Sequence, residues 1–223
     1  MRHHGQLRPP GWLDLVGLDP DTLPYWIAVV LAEVGGGTGA VACTGVLAAI
    51  FALRRRFRSA GFLVTAMAAG ICTSELLKAV VTRLRPVDQL YESTGFSYPS
   101  GHSMAAAALA VSLAIIAARA HGRRVRTAQA AAAQAAAADA DNGTEPALDP
   151  MPAPRLAFHW SFVPAAVWIL AMMWSRTGLQ VHWLTDTIAG ALIGIAAAVL
   201  VDELWSLMAR RTRSPRLALW FEG

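Results

Sequence analysis

Residues 34–53 run for twenty positions without a charged side chain. A run of that length matches the roughly 20 apolar residues needed to cross a hydrocarbon core. Four more apolar stretches follow, at about residues 60–80, 103–118, 160–174 and 185–205. The shorter ones reach spanning length only by extending into their polar flanks. The expected fold is therefore all-α: an integral membrane helical bundle of about five transmembrane helices. Residues 23–33 are apolar and carry Tyr25 and Trp26, so they read as an interfacial helix or an extension of the first span. The Gly35-Gly36-Gly37 run makes that first boundary soft, because glycine is a poor helix former.

Composition agrees. Hydrophobic residues make up 55% of the chain and charged residues 15%, against about 25% in a soluble domain. With mean hydropathy at +0.43, this argues against a soluble enzyme and against a disordered chain. Cys43 and Cys72 lie in apolar runs and are expected to be buried; two such residues make neither a disulfide framework nor a zinc site. Residues 1–21 lack the apolar stretch and cleavage site of a secretory signal peptide. Residues 119–159 hold an Ala/Gln tract, readable as continued helix, and then an acidic, Pro-rich linker. The chain reads as one domain over residues 1–223 with that segment as an internal cytoplasmic loop.

The basic residues flank the apolar runs instead of alternating with aromatics on one face, which disfavours nucleic acid as a partner. Thirteen of the nineteen fall at residues 54–58, 119–155 and 210–216. The positive-inside rule puts those segments, and the C-terminus, in the cytoplasm. Arg2, Arg8, Lys78, Arg83, Arg85 and Arg176 then belong to the outer side. All the positive residues are Arg except Lys78, a skew that genome composition can produce. Trp160, Trp174, Trp183 and Trp205 lie near span ends as interfacial anchors, and Trp183 has lipid entry as a second role. His121 and His159 read as surface residues of the cytoplasmic side, and His3 and His4 as terminal residues without a metal role.

Polar groups concentrate where three helix ends meet the outer face. Lys78 and Arg85 are seven apart, so on a helix stopped by Pro86 they project from one face. Arg176 arrives from another helix. Two guanidinium forks and an ammonium make a pocket for a dianion. Ser100-Gly101-His102 opens a helix whose N–H groups and dipole favour an anion. His182 and Asp186 are one turn apart, so the carboxylate is expected to accept from one imidazole nitrogen and leave the other free to attack. His102 is available as a general acid. Glu75 is placed to pair with Lys78, and Arg83 lies off the Lys78/Arg85 face, toward headgroups or the rim.

The sequence K-x6-R-P at residues 78–86, P-S-G-H at 99–102 and S-R-x5-H-x3-D at 175–186 resembles the signature of the type 2 phosphatidic acid phosphatase family, with no motif position departing. That family includes lipid phosphate phosphatases, bacterial undecaprenyl-diphosphate phosphatases and glucose-6-phosphatase, and is related to vanadium haloperoxidases. Many bacterial members have six spans where this sequence shows five. The resemblance implies His182 as nucleophile through a phosphohistidine, Asp186 as its orienter and His102 as proton donor. It implies Lys78, Arg85, Ser100, Gly101 and Arg176 as the phosphate-binding set, with Ser175 shaping the turn, and neither metal nor other cofactor. It also implies a membrane lipid substrate in the bilayer. A polyprenyl diphosphate such as undecaprenyl diphosphate comes first, with phosphatidic acid or phosphatidylglycerophosphate as alternatives. The location implied is the bacterial plasma membrane, with the site on the extracytoplasmic face. Haloperoxidase chemistry and a non-enzymatic lipid-binding or transport role are the competing classes. Nothing in the sequence sets an oligomeric state.

Overall fold

The computed structural model describes residues 16–141 and 159–211. Among them every regular element is helical: α1 (Leu23–Gly35), α2 (Thr38–Leu53), α3 (Phe57–Val81), α4 (Gly101–Asp141), α5 (Phe162–Gly178) and α6 (Leu184–Arg211). The expectations for His3, His4, the Pro-rich linker at 142–158 and the basic residues 212–216 lie outside the described residues.

α3, the first 38 residues of α4 and α6 are each long and apolar enough to cross a membrane. α1 and α2 pass only as a bent pair, 46° apart, so the expected first span is not one straight helix. The break falls at Gly36 and Gly37, where Gly37 takes φ +50 and α2 starts again at Thr38. Only glycine enters that region at no steric cost. α5 has 17 residues, about 25 Å at the helical rise, short of a roughly 30 Å core. Among the described residues, length and composition thus show three spans, or four counting the bent pair.

The packing is that of a membrane bundle. Lateral surfaces expose Val64, Leu76, Val80, Val167, Leu170, Leu192 and Leu200. The interior is built from small side chains: Ala105, Ala106, Ala107 and Ala108 of α4 are buried, and Ala107 packs in one cluster with Ala191 and Ala198 of α6. Small residues let backbones approach where lipid offers no hydrophobic contrast between inside and outside. The approach is closest at Gly190 and Gly194. A Cβ there would lie 2.2 Å from Ser100 O and 2.3 Å from Met104 O, so α6 rests backbone against backbone on the start of α4. Cys43 and Cys72 are exposed, not buried as expected, because they face outward from their helices.

The Ala/Gln tract continues α4 as helix, consistent with alanine's propensity. His121, midway along α4, meets His159 at the end of the bundle where α5 begins, ring centroids 5.2 Å apart. At that end Arg119 pairs with Asp202 and also donates to Ser206. The opposite end gathers the C-terminus of α3, the N-terminus of α4, the C-terminus of α5, the N-terminus of α6 and the α1–α2 break. Two loops, residues 82–100 and 179–183, close it.

Candidate active site

The C-terminal turn of α5 leads directly into the candidate nucleophile. Gln180 takes φ +56, and the N–H groups of Val181 and His182 both donate to Arg176 O at 3.3 Å. His182 is thereby folded back under its own helix, at 2% exposure. Its Nδ1 lies 2.8 Å from Ser97 O. A carbonyl can only accept, so Nδ1 carries the proton and Nε2 keeps its lone pair. Nε2 faces Arg85 Nη1 at 3.2 Å. Burial, assisted by the Arg85 and Arg176 cations and opposed by Asp186, holds the pKa of this imidazole down at about 4.

The imidazole–carboxylate bond expected from the i, i+4 spacing is not made. Nδ1 and Asp186 Oδ2 are 3.7 Å apart, beyond hydrogen-bond reach. Asp186 instead accepts from Trp183 N–H at 3.0 Å and from Arg83 Nη1 at 2.8 Å. The reason is local: Asp186 lies in the first turn of α6, where free N–H groups compete for its oxygens. Its carboxylate still provides a fixed negative charge beside the Nδ1–H edge. Arg83, expected at the rim, is an inward partner. It also reaches Thr185 Oγ1 at 2.7 Å and lies over the Trp183 ring. Trp183 in turn donates to Leu84 O at 3.2 Å, so it braces the loop.

Lys78 and Arg85 do not share a helix face. α3 ends at Val81, and Thr82 turns left-handed at φ +46, its N–H donating back to Lys78 O. The residue before a proline avoids the α region, and here the chain has left the helix three residues earlier. Arg85 therefore comes in on a loop and is held by three carbonyls, Gly95, Thr94 and Val181, at 2.9–3.0 Å. Lys78 stays on α3, paired with Glu75 at 2.7 Å as expected. Its Nζ lies 3.5 Å from where a Gly101 Cβ would be, beside the mouth of α4.

Ser100 is fully buried and caps α4, its Oγ accepting from Ser103 N–H at 3.4 Å while its own N–H donates to Asp186 O. Gly101 and His102 open the helix. Arg176 is also fully buried. It donates to Ser93 Oγ at 3.3 Å and lies 5.9 Å from the Tyr91 ring centre, yet its Nε and Nη1 have no partner among the described residues. Ser175 ties α5 to α1 through Ala28 O at 2.6 Å. Tyr91 meets Glu33 of α1. The one end of the bundle thus brings together Lys78, Arg85, Ser100, Gly101, His102, Arg176, His182 and Asp186. Among the described residues no group of three metal-binding side chains forms. Sequence reasoning missed Ser97 as the partner of His182 and Arg83 as the partner of Asp186. Neither has a spacing signal, because both contacts cross about a hundred positions.

The PAP2 superfamily model matches residues 59–211, well over half the chain and all three motifs. The chain belongs to the PAP2 superfamily. As a member of that family it is a membrane phosphatase. A search of curated proteins returns no match. The fold is similar to the crystal structure of a transmembrane PAP2-type phosphatidylglycerolphosphate phosphatase from Bacillus subtilis, with a TM-score of 0.65 at 17% identity, over 90% of this chain and 84% of that one. At that identity the likeness speaks for the fold alone.

Proposed function

We propose that this PAP2 phosphatase hydrolyses a phosphate ester or diphosphate on a membrane lipid through a phosphohistidine at His182. The observation that carries the reading is a nucleophile and an unsatisfied cation in one buried place. Nε2 of His182 keeps its lone pair, which accepts from Arg85 Nη1, and Arg176 presents two guanidinium nitrogens with no partner among the described residues. A phosphoryl group draws the Arg85 and Arg176 donors onto its oxygens and leaves Nε2 free to attack. Arg176, Arg85 and Lys78 neutralise its oxygens, and the α4 N-terminus at Gly101, set in place by Ser100, adds N–H dipoles aimed at the charge that builds in the transition state. Nε2 attacks phosphorus in line; the N–P bond forms as the bond to the leaving oxygen breaks. His102 delivers the proton to that oxygen, and the dianion offsets the cations that face its protonated ring. His102 then takes a proton from water, which attacks phosphorus, frees His182 and releases inorganic phosphate.

The substrate proposed first is a polyprenyl diphosphate such as undecaprenyl diphosphate. Phosphatidylglycerophosphate is the second reading, favoured by the activity named for the similar Bacillus subtilis protein. We also infer that residues 1–223 act as one domain, that the reaction needs no metal, and that five spans place the site on the extracytoplasmic face of a bacterial plasma membrane. The basic belt at the other end supports that orientation. The test is phosphate release by protein purified in detergent with EDTA, against polyprenyl diphosphate, phosphatidic acid and phosphatidylglycerophosphate. Expected is turnover in EDTA and, for His182→Ala, a loss of at least about 10³-fold with lipid binding retained. Wild-type release by His182→Ala would overturn the mechanism. A reporter fused after Gly223 that is active outside the cell would overturn the orientation.

A further inference from the structure

The two histidines of the site are held in different ways. His182 is fixed by hydrogen bonds on both ring nitrogens. For the His102 ring no hydrogen-bond partner is found among the described residues. What holds it is contact with the break between α1 and α2. A Cβ at position 36 would lie 2.3 Å from His102 Cδ2 and 2.8 Å from its Cβ and Cγ. One at position 37 would lie 3.3 Å from Cε1 and 3.4 Å from Nε2.

We propose that the Gly36–Gly37 elbow is the positioning element of the proton donor: its bare backbone is the wall against which the His102 imidazole is aimed at the leaving oxygen. This deepens the reading of His102 given above and rests on it. The two glycines are required for different reasons. Gly37 has φ +50, so a side chain there strains the backbone. Gly36 is at φ −124, ψ 168, ordinary extended backbone that any residue adopts, and it is buried. The demand for glycine at 36 is therefore purely spatial, and the neighbour that sets it is the His102 side chain, ring and Cβ together.

The wall cannot retreat. On its other side, Gly35 packs against α5, where a Cβ would lie 2.4 Å from Trp168 Cζ2 and 2.8 Å from Met172 Cε. α1 is also tied to α5 through Ser175 and to the 82–100 loop through Glu33 and Tyr91. An added methyl at position 36 therefore displaces the imidazole. A ring displaced by an ångström still binds nothing and blocks nothing, but it no longer meets the oxygen that must take the proton. The elbow that interrupts α1–α2 thus shapes the leaving-group side of the site, the side on which the lipid alcohol or phosphate departs.

Proton donation matters only for poor leaving groups, which gives the inference a readout that general damage would not move. The experiment measures kcat and KM of the wild type, Gly36→Ala, His102→Ala, the double variant and Gly45→Ala, each on an alkyl phosphate and on nitrophenyl phosphate. Gly45 is the fold control, since nothing lies within 4 Å of a Cβ there. Expected for Gly36→Ala is a fall in kcat of about 10- to 100-fold on the alkyl phosphate, part of the roughly 10²–10⁴ that general acid catalysis contributes. On nitrophenyl phosphate the fall is expected to be under about threefold, with KM unchanged on both. In the His102→Ala background the extra methyl adds no further loss selective for the alkyl phosphate, because the imidazole it acts through is gone; the contact that remains with the residue-102 Cβ acts on both substrates alike.

Equal loss on both substrates for Gly36→Ala, or a further loss selective for the alkyl phosphate in the double variant, overturns the inference. If His102→Ala is selective for the alkyl substrate and Gly36→Ala is not, the elbow fails while the role of His102 stands. If His102→Ala itself shows no leaving-group selectivity, the reading of His102 is what fails. Should Gly36→Ala alone not fold, recovery of folding when it is combined with His102→Gly, which removes ring and Cβ, shows that the clash is with the His102 side chain, and failure of both variants overturns the proposal.

Discussion

Arg83 Nη1 lies 2.8 Å from Asp186 Oδ1, joining the loop after α3 to the first turn of α6 across 103 positions of sequence. Asp186 is fully buried and Arg83 is 39% exposed, so the cation sits at the edge and the carboxylate beneath it. The pair holds Asp186 with its other oxygen on Trp183 N–H, beside the imidazole but not bonded to it. Arg83 is therefore a positioning residue, and its effect passes through Asp186 to His182.

Arg83→Gln is expected to lower kcat by about tenfold to a hundredfold, with KM nearly unchanged. Leaving one oxygen of a buried carboxylate short of its cation costs about 1–3 kcal/mol, and each 1.4 kcal/mol at the transition state is about tenfold. Arg83→Lys keeps the charge and should recover part of the loss. Steady-state kinetics on one lipid phosphate checks this. A rise in KM with kcat intact would instead place Arg83 on the substrate.

The neutral state of His182 gives a pH prediction. Its pKa is held at about 4, mainly by burial, against an ordinary 6.5. Between those values the unfolded chain binds a proton that the folded chain does not. Stability contributed at this residue therefore declines as pH falls from about 6.5 toward 4, and is unaffected above that window. In NMR spectra of protein with ¹³C-labelled histidine, the resonance lost in His182→Ala should not titrate between pH 7.5 and 5.5. A midpoint near 6.5 would mean that the ring is hydrated and not poised to attack.

The three motifs were legible because their residue types carry the chemistry: Arg176, His182 and Asp186 stand out by type, order and likeness to the family signature, and the structure gathers them at one end of the bundle. The local geometry was less legible. Lys78 and Arg85 look like one helix face at seven apart, yet α3 stops at Val81 and Arg85 finds three carbonyls of the loops instead. Asp186 looks like the acceptor for His182, yet Ser97 O accepts the hydrogen bond from its Nδ1–H. In both cases a long-range backbone carbonyl wins, and carbonyls are the same at every position, so no residue type advertises them. The Gly35-Gly36-Gly37 run was visible as a weak helix, but its contact with His102, 65 or more positions away, was not.

Arg176→Lys should weaken inhibition by vanadate, a mimic of the phosphoryl group, by about tenfold or more. The guanidinium offers Nε and Nη1 together, a fork that matches two oxygens, whereas an ammonium offers one point charge. Lysine also gives up the bond to Ser93. Vanadate inhibition constants for the two proteins measure the difference. Equal constants would mean that Arg176 only balances charge.

Gly190 links packing to catalysis most directly. A Cβ there would lie 2.2 Å from Ser100 O and 3.1 Å from Ser100 C, both backbone atoms, so no rotamer change relieves the clash. The start of α4 must then move away from α6, against the bond from Ser100 N–H to Asp186 O. Overpacking of this kind costs about 1–3 kcal/mol. Gly190→Ala is expected to lower the detergent melting temperature by several degrees and to raise the vanadate inhibition constant in parallel, because the N–H groups that face the phosphoryl oxygens shift with Ser100. Gly45→Ala, with open space around it, should change neither. Gly190→Ala with a lower melting temperature but unaltered vanadate inhibition would show that the mouth of α4 does not contact the phosphoryl group.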